Sequence, residues 1–388
     1  MPSAVFSTPK PTQLSNTLIP PKRALTAPRS SASPSRCSTF PALYDQTCDE
    51  IIDLAATIAH FEPVRLHVRP ENMSAAQALL TTRMASSPTA EQARVTLLSC
   101  PTNHIWVRDT GPVYVRGADG SRAAVDFRFC EWGNKLDERI YNSAAEDDGW
   151  PVMDAAAQAE NTGFAARALE LDAATWPDEP VTRVVSRVRV EGGGIEMDGE
   201  GTLMAMESSV TVASRNAGLS RAEIEAELGR LLGVRRFIWI PGREGLDITD
   251  YHIDAEARFV RPGVVVVGRP HAKCAPVYWD VYREMRAVLD AATDARGRRL
   301  EVHDVEEPDP ELVKGDVPGE EQEPAASYVN FYFTNGGLVI PAFGDAIADQ
   351  RSLETMQKLL PEREIRQVKV NALPRTGGVL HCTTQQVI

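Results

Sequence analysis

One supersecondary unit recurs along the chain, and this recurrence constrains the fold more than any other feature. Stretches of alternating apolar residues turn at Asp119-Gly120, Pro262-Gly263 and Asn335-Gly336-Gly337, as β-hairpins do. The hairpin spanning Ile105–Phe129 is followed by a helical pattern over Met153–Leu171 and a strand over Val184–Val190. Thr202–Met206 leads to a helix and then to strand Phe237–Ile240. That helix has the sharpest limits, opening on the capping box Ser220-Arg-Ala-Glu223 and stopping at Gly233. A further hairpin returns through Val264–Val267 into a helix over Val277–Thr293. Strands Tyr328–Phe333 and Leu338–Ile340 precede a helix over Ala346–Leu360 and strand Ile365–Val370. A repeated hairpin, helix and strand buries its faces against copies of itself, so the pattern predicts an α/β fold. Spacing alone is compatible with a closed, propeller-like ring or with an open sheet.

Residues 1–40 break this pattern. They are rich in Pro and Ser, carry five basic residues (Lys10, Lys22, Arg23, Arg29, Arg36) and have no acidic residue. Such a segment reads as a flexible tail, with an organelle transit peptide as the alternative. Residues 41–388 read as a single α/β domain, opening with a helix from Cys48, strand Val64–Arg69, a helix over Ser74–Met84 and strand Val95–Ser99. The acidic, Pro-bearing stretch Glu306–Glu323 reads as a solvated connection or a lid. No apolar run of roughly 18 residues occurs, so no membrane helix is predicted. A net charge of -13 argues against nucleic-acid binding and favours small cationic partners. Six scattered cysteines without CxxC pairs indicate neither a zinc ribbon nor a disulfide scaffold, which fits a reducing, cytoplasmic compartment.

Cys382 lies in Thr376-Gly-Gly-Val-Leu-His-Cys-Thr-Thr-Gln-Gln386, and Val379–Thr383 reads as a short strand entered through two glycines. On a strand, neighbouring side chains diverge, so His381 is not expected to serve Cys382. Three polar groups upstream are candidate partners. His252-Ile-Asp254 puts an imidazole and a carboxylate on one face of a strand-like segment. Trp106-Val-Arg-Asp109-Thr-Gly-Pro112 crowds an aromatic, a cation and an acid before a turn. Glu191 precedes three glycines, where another group approaches the backbone closely. Each alone is equally explained as a surface pair, a salt-bridged turn or a bulge.

Taken together, these segments resemble the agmatine deiminase branch of the guanidine-modifying enzymes, which includes the bacterial peptidylarginine deiminases. The resemblance runs in order through Trp106–Pro112, Glu191-Gly-Gly-Gly-Ile-Glu-Met-Asp-Gly-Glu-Gly-Thr202, Asn216–Glu225 and Asp250-Tyr-His-Ile-Asp-Ala-Glu-Ala-Arg-Phe-Val260. It continues through Ala326-Ser-Tyr-Val-Asn-Phe-Tyr332, Ile340-Pro-Ala-Phe-Gly-Asp345 and His381–Gln386. It implies a five-bladed α/β propeller of ββαβ modules. By position it implies Cys382 as nucleophile, His252 as general acid/base and Glu191 as the support of the histidine. Asp109 and Asp254 would grip a small cationic guanidine, with Trp106 and Trp132 completing the substrate site. The family's chemistry requires no metal or organic cofactor, and homo-oligomers are expected in it. The substrate reads as agmatine first, with free arginine or peptidyl-arginine as alternatives.

The chain departs from the family at several places. The N-terminal family motif is replaced by the Pro/Ser-rich segment. Phe129-Cys-Glu-Trp-Gly-Asn-Lys135 stands where Phe-Asn-Ala-Trp-Gly-Gly-Lys is usual, Tyr251 replaces a glycine, and Val379 replaces an asparagine. Two other classes share part of the pattern. A papain-like hydrolase usually carries its cysteine before its histidine, the reverse of the order here. A noncatalytic binding protein on the same fold would leave Cys382 far from His252, or the pocket filled by Tyr251.

Overall fold

A computed structural model describes residues 6–7, 15–18, 39–134, 155–313 and 324–388. The described residues contain five sheets sharing one construction, in which two strands pair antiparallel and a helical crossover adds a third strand parallel to the second. Val113–Gly117 and Arg122–Asp126 are joined by Thr182–Val185, and Ile195–Met197 and Thr202–Met206 by Arg236–Ile240. Ala257–Arg261 and Val264–Arg269 are joined by Glu301–Glu306, and Tyr332–Thr334 and Gly337–Ala342 by Glu364–Lys369. The middle strands Thr202–Met206 and Gly337–Ala342 are buried along their whole length. Their continuous apolar runs belong to strands covered on both faces. The crossover helices include Arg221–Leu232, Pro276–Ala291 and Ala346–Leu359.

The fifth sheet is assembled from both ends of the chain. Thr384–Gln386 pairs antiparallel with Ser15–Leu18, which runs parallel to Val64–Val68, and Val95–Ser99 completes the sheet. Helix Thr39–Ala59 is its crossover. Two short pieces of the segment expected as a tail are therefore strands, the other being Phe6–Ser7 against Val113–Gly117. Backbone pairing requires no apolar side chains, so composition did not reveal them.

Several local expectations are corrected. The Met153–Leu171 helix is two, Ala155–Thr162 and Phe164–Thr175, separated at Gly163. Strand Val184–Val190 ends at Val185, because the Arg187 and Arg189 amides donate to the side chains of Glu227 and Asn216 instead of a neighbouring strand. The strand expected from Tyr328 begins only at Tyr332. Within the acidic stretch Glu306–Glu323, Pro310–Val313 is a helical turn, and residues 314–323 lie outside the described residues. No described helix is long and apolar enough to cross a membrane.

Glu50, on Thr39–Ala59, anchors the approach to Cys382. Its buried carboxylate accepts from the amides of Asn371, Ala372 and Leu373 at 2.7, 2.8 and 2.9 Å. Glu50→Ala strands these donors, so unfolding by denaturant is expected to show a loss of about 3 kcal/mol, with Glu50→Gln losing less.

Candidate active site

Cys382 sits in a tight turn, not on the predicted strand; pairing begins at Thr384. The Thr384 hydroxyl donates to the Leu380 carbonyl (2.8 Å) and the Thr383 hydroxyl reaches the Val379 and Leu380 carbonyls. These side chains satisfy the turn locally, in competition with sheet pairing. Gly377 enters with φ 109°, a left-handed value that favours glycine. A Cβ on Gly378 would lie 2.7 Å from the Trp106 ring and 3.0 Å from the Cys382 Cβ. The Arg108 amide donates to the Cys382 carbonyl (3.1 Å), tying the turn to the segment that carries Trp106 and Asp109.

The other predicted residues converge beside this turn. Asp109 comes from the helical turn Val107–Thr110, Glu191 precedes the 3₁₀ turn Gly192–Gly194, and His252 and Asp254 lie at the 3₁₀ turn Ile253–Ala255. The strand expected for His252-Ile-Asp254 is thus replaced by a 3₁₀ turn, yet both side chains still reach one place. Gly193 marks that place. A Cβ built on it would lie 2.7 Å from His252 Nδ1, 2.9 Å from Asp109 Oδ1 and 3.1 Å from Asp254 Oδ2. The Cys382 thiol donates to Asp254 Oδ2 over 3.7 Å.

Each group is held from behind. Asp109 accepts from the Trp132 indole N–H at 2.9 Å and from the Gly193 amide at 3.1 Å. Trp132 lies in the run Glu131–Asn134, all four at positive φ, with Glu131 bonded to His104 (2.7 Å) and Asn161 (2.8 Å). His252 Nε2 lies 3.3 Å from Glu191, and Nδ1 3.7 Å from Asp109. Glu191 receives Arg215 Nε on both oxygens, at 3.0 and 2.7 Å. Asp254 Oδ2 lies 2.6 Å from His381 Nδ1, whereas its buried Oδ1 has no hydrogen-bond partner.

Electrostatics divide the site into charged and neutral members. Burial works to lower the pKa of His252, but Asp109, Glu191 and Asp254 overcome it and raise it to about 9, so the imidazole is protonated at neutral pH. Glu191 moves the other way, burial being outweighed by Arg215 and His252, which hold it below the usual carboxylate range. Asp254 is raised to about 6 by burial and by Asp109. Burial and these two aspartates also push the Cys382 thiol well up, so the resting sulfur keeps its proton. His381 is neutral, driven down by burial and by Arg108 and Arg258, and its Nδ1–H faces Asp254. The arrangement brings a protonated imidazole, a thiol and two carboxylates together, and the carboxylates suit a flat cation.

Four contributors escaped the sequence reading. His381 was set aside on strand alternation that the turn removes. Asn330 lies against the Cys382 sulfur at 3.4 Å, and Arg215 and Asp250 pair at 2.7 Å behind Glu191. Asn330 lay in a quoted segment, but nothing in its spacing marks a partner for a sulfur fifty residues later. Asp250 and Tyr251 adopt φ 62° and 78°, left-handed values that glycine takes freely and tyrosine at a cost of about 1–2 kcal/mol. That accounts for the glycine usual at position 251. The Tyr251 side chain belongs to the buried cluster that contains Ile240, Ile253 and Val281, and it is hydrogen-bonded to Glu256. Among the described residues no set of His, Cys, Asp and Glu side chains has a metal-holding arrangement.

Residues 31–387 match the family model described as Porphyromonas-type peptidyl-arginine deiminase. The agmatine deiminase of Stutzerimonas stutzeri (strain A1501) is 34% identical over 346 residues, covering 86% of this chain and 85% of that one. Among solved structures, the agmatine deiminase of Enterococcus faecalis superposes with a TM-score of 0.74 at 24% identity, covering 98% of this chain and 95% of that one. The agmatine deiminase of C. jejuni gives 0.72 at 20% identity, with 98% and 95% covered.

Proposed function

The chain belongs to the Porphyromonas-type peptidyl-arginine deiminase family, and we infer from that membership and from the site that it is an agmatine deiminase-like hydrolase. It converts agmatine and water to N-carbamoylputrescine and ammonia. The observation that carries the reading is the bare, buried Asp254 Oδ1, in a carboxylate pair whose other oxygen touches the Cys382 thiol. A buried acceptor without a donor is costly, and a guanidinium supplies the missing N–H groups while cancelling the charge.

Asp109 and Asp254 hold the fork of the guanidinium and aim its central carbon at Cys382 Sγ. The bound cation offsets the two charges that keep the thiol protonated, so the thiol proton passes to solvent and the thiolate forms in the complex; sulfur regains a proton from the adduct's hydroxyl when it is expelled at the end. Sulfur attacks the carbon, and protonated His252 gives its proton to the departing ammonia, leaving a covalent thiouronium. His252 then takes a proton from water as the water oxygen bonds to carbon. Collapse of that adduct expels the sulfur and forms the ureido carbonyl. Glu191 keeps the imidazole ring oriented, and Trp132 fixes the Asp109 carboxylate. Trp106 stands against Gly378, next to Cys382, where it borders the substrate. The five sheets form the blades of a closed α/β propeller, a single domain in which Phe6–Ser7 and Ser15–Leu18 join residues 41–388; the shared antiparallel-then-parallel order supports this reading.

The test is release of ammonia and ureido product from agmatine, free arginine and an arginine peptide, with the Cys382→Ala protein as the blank. Agmatine is expected to be turned over with the highest kcat/KM. Preference for the peptide would move the activity to protein citrullination, and silence with all three from folded protein would overturn the hydrolase reading.

A further inference from the structure

We propose that Asn330 is a catalytic residue, whose carboxamide oxygen holds the Cys382 turn and whose N–H group stabilises the thiolate. The inference rests on the thiol chemistry above and deepens it.

The orientation of the carboxamide is decided by its neighbours. On one side lie two groups that can only donate, the amides of His381 (2.9 Å) and Cys382 (3.4 Å), which therefore face Oδ1. On the other lies the Asp254 main-chain carbonyl at 3.2 Å, which can only accept and so faces Nδ2. The Cys382 sulfur is on this second side, 3.4 Å from Nδ2. One amide hydrogen is used on the carbonyl and the other points at sulfur, so a flipped carboxamide would set four contacts in conflict.

The group is also immobilised. Asn330 is 1% exposed, and its amide donates to the Ser327 carbonyl (3.3 Å). The Ser327 hydroxyl sits 2.7 Å from the Ala255 carbonyl and 2.9 Å from Glu307, which also accepts from the Tyr328 amide at 2.8 Å. The donor is thus fixed before sulfur ionises, and a preorganised donor aimed at developing charge is worth more than one that must reorient. The need for it is local. Two buried carboxylates oppose ionisation of Cys382, and Asn330 and the Val379 backbone amide are the donors that favour it.

The experiment follows alkylation of Cys382 by iodoacetamide at about pH 8, read by peptide mass spectrometry, with Cys274 as internal reference. Asn330→Ala is expected to slow alkylation of Cys382 about tenfold, the effect of about one pKa unit. Asn330→Asp retains an acceptor for the turn amides but replaces the donor by a negative group, and is expected to slow it further. On agmatine, kcat should fall about tenfold or more while KM stays within about threefold. Cys382 alkylated at the wild-type rate or faster in a folded variant would overturn the proposal, as would a rise in KM with kcat unchanged. If Asn330→Ala fails to fold, Asn330→Asp decides it. Because alkylation needs no substrate, an inactive wild type would count against the hydrolase reading while the assignment of Asn330 is still decided.

Discussion

Gly193→Ala is expected to reduce kcat/KM on agmatine a hundredfold or more while the protein still folds. Gly193 lies outside the left-handed region, so alanine brings no backbone strain there. The added methyl would instead collide with the reacting groups, 2.7 Å from His252 Nδ1 and 2.9 and 3.1 Å from the Asp109 and Asp254 oxygens. None of the three can yield without losing a partner, because Asp109 is held by Trp132, Asp254 by His381 and His252 by Glu191. A displacement of about 1 Å among reacting groups costs about 10²-fold in rate, and here one methyl pushes on three of them at once. Steady-state kinetics beside a circular-dichroism melt checks this. Wild-type turnover in the variant would show that the close packing of His252, Asp109 and Asp254 on Gly193 does not set the rate.

Arg215→Met should be the most destabilising single change at the site, by about 3–5 kcal/mol near neutral pH. The Arg215 side chain is fully buried and joins Glu191 to Asp250 (2.7 Å) and to the Thr249 carbonyl (2.9 Å). Methionine fills much of the volume and leaves two buried carboxylates without their cation. In the wild type Glu191 is held below its unfolded pKa, so its contribution is present above about pH 4.5 and lost as pH falls through the lower, folded value. Without Arg215 burial dominates Glu191 and raises its pKa, so the deficit of the variant should shrink on acidification. His252 has the opposite sign. Its pKa is raised to about 9, so its contribution is full below about pH 6.5 and fades as pH rises through 9. Weakening Glu191 as an anion lowers the His252 pKa, so the alkaline limb of kcat/KM should move to lower pH in the variant. Denaturant titrations and pH–rate profiles read both effects, and an unmoved alkaline limb would separate Arg215 from the histidine.

Features that depend on short-range chemistry were legible in the sequence. The capping box is present, with the Glu223 amide donating to the Ser220 hydroxyl and Glu223 accepting from the Ser220 amide, and Gly233 ends the helix at φ 71°. The hairpin turns stand where Asp119-Gly120, Pro262-Gly263 and Asn335-Gly-Gly337 put them. Glu191, His252, Asp109, Asp254 and Cys382 do meet, although that expectation came from resemblance, since spacing could not bring four distant segments together. Other features were hidden because their causes are tertiary. Alternation over Val379–Thr383 suggested a strand, but hydroxyls of Thr383 and Thr384 and the Asn330 carboxamide claim those backbone groups first. Likewise, the pairing of Ser15–Leu18 depends on strands far away in sequence.

The meeting of Thr384–Gln386 with Ser15–Leu18 has a consequence for the timing of synthesis. Asp109, Glu191, His252, Asp254 and Asn330 all leave the ribosome before Cys382, and the strand that positions Cys382 pairs only with residues made long before it. The carboxylate cradle is completed only with the end of the chain, because His381 holds Asp254 and the Cys382 carbonyl receives the Arg108 amide, and such long-range closure is slow in folding. Translation that stops short of Cys382 would lose, together with the sulfur, the strand that pairs with Ser15–Leu18 and the carbonyl that receives the Arg108 amide.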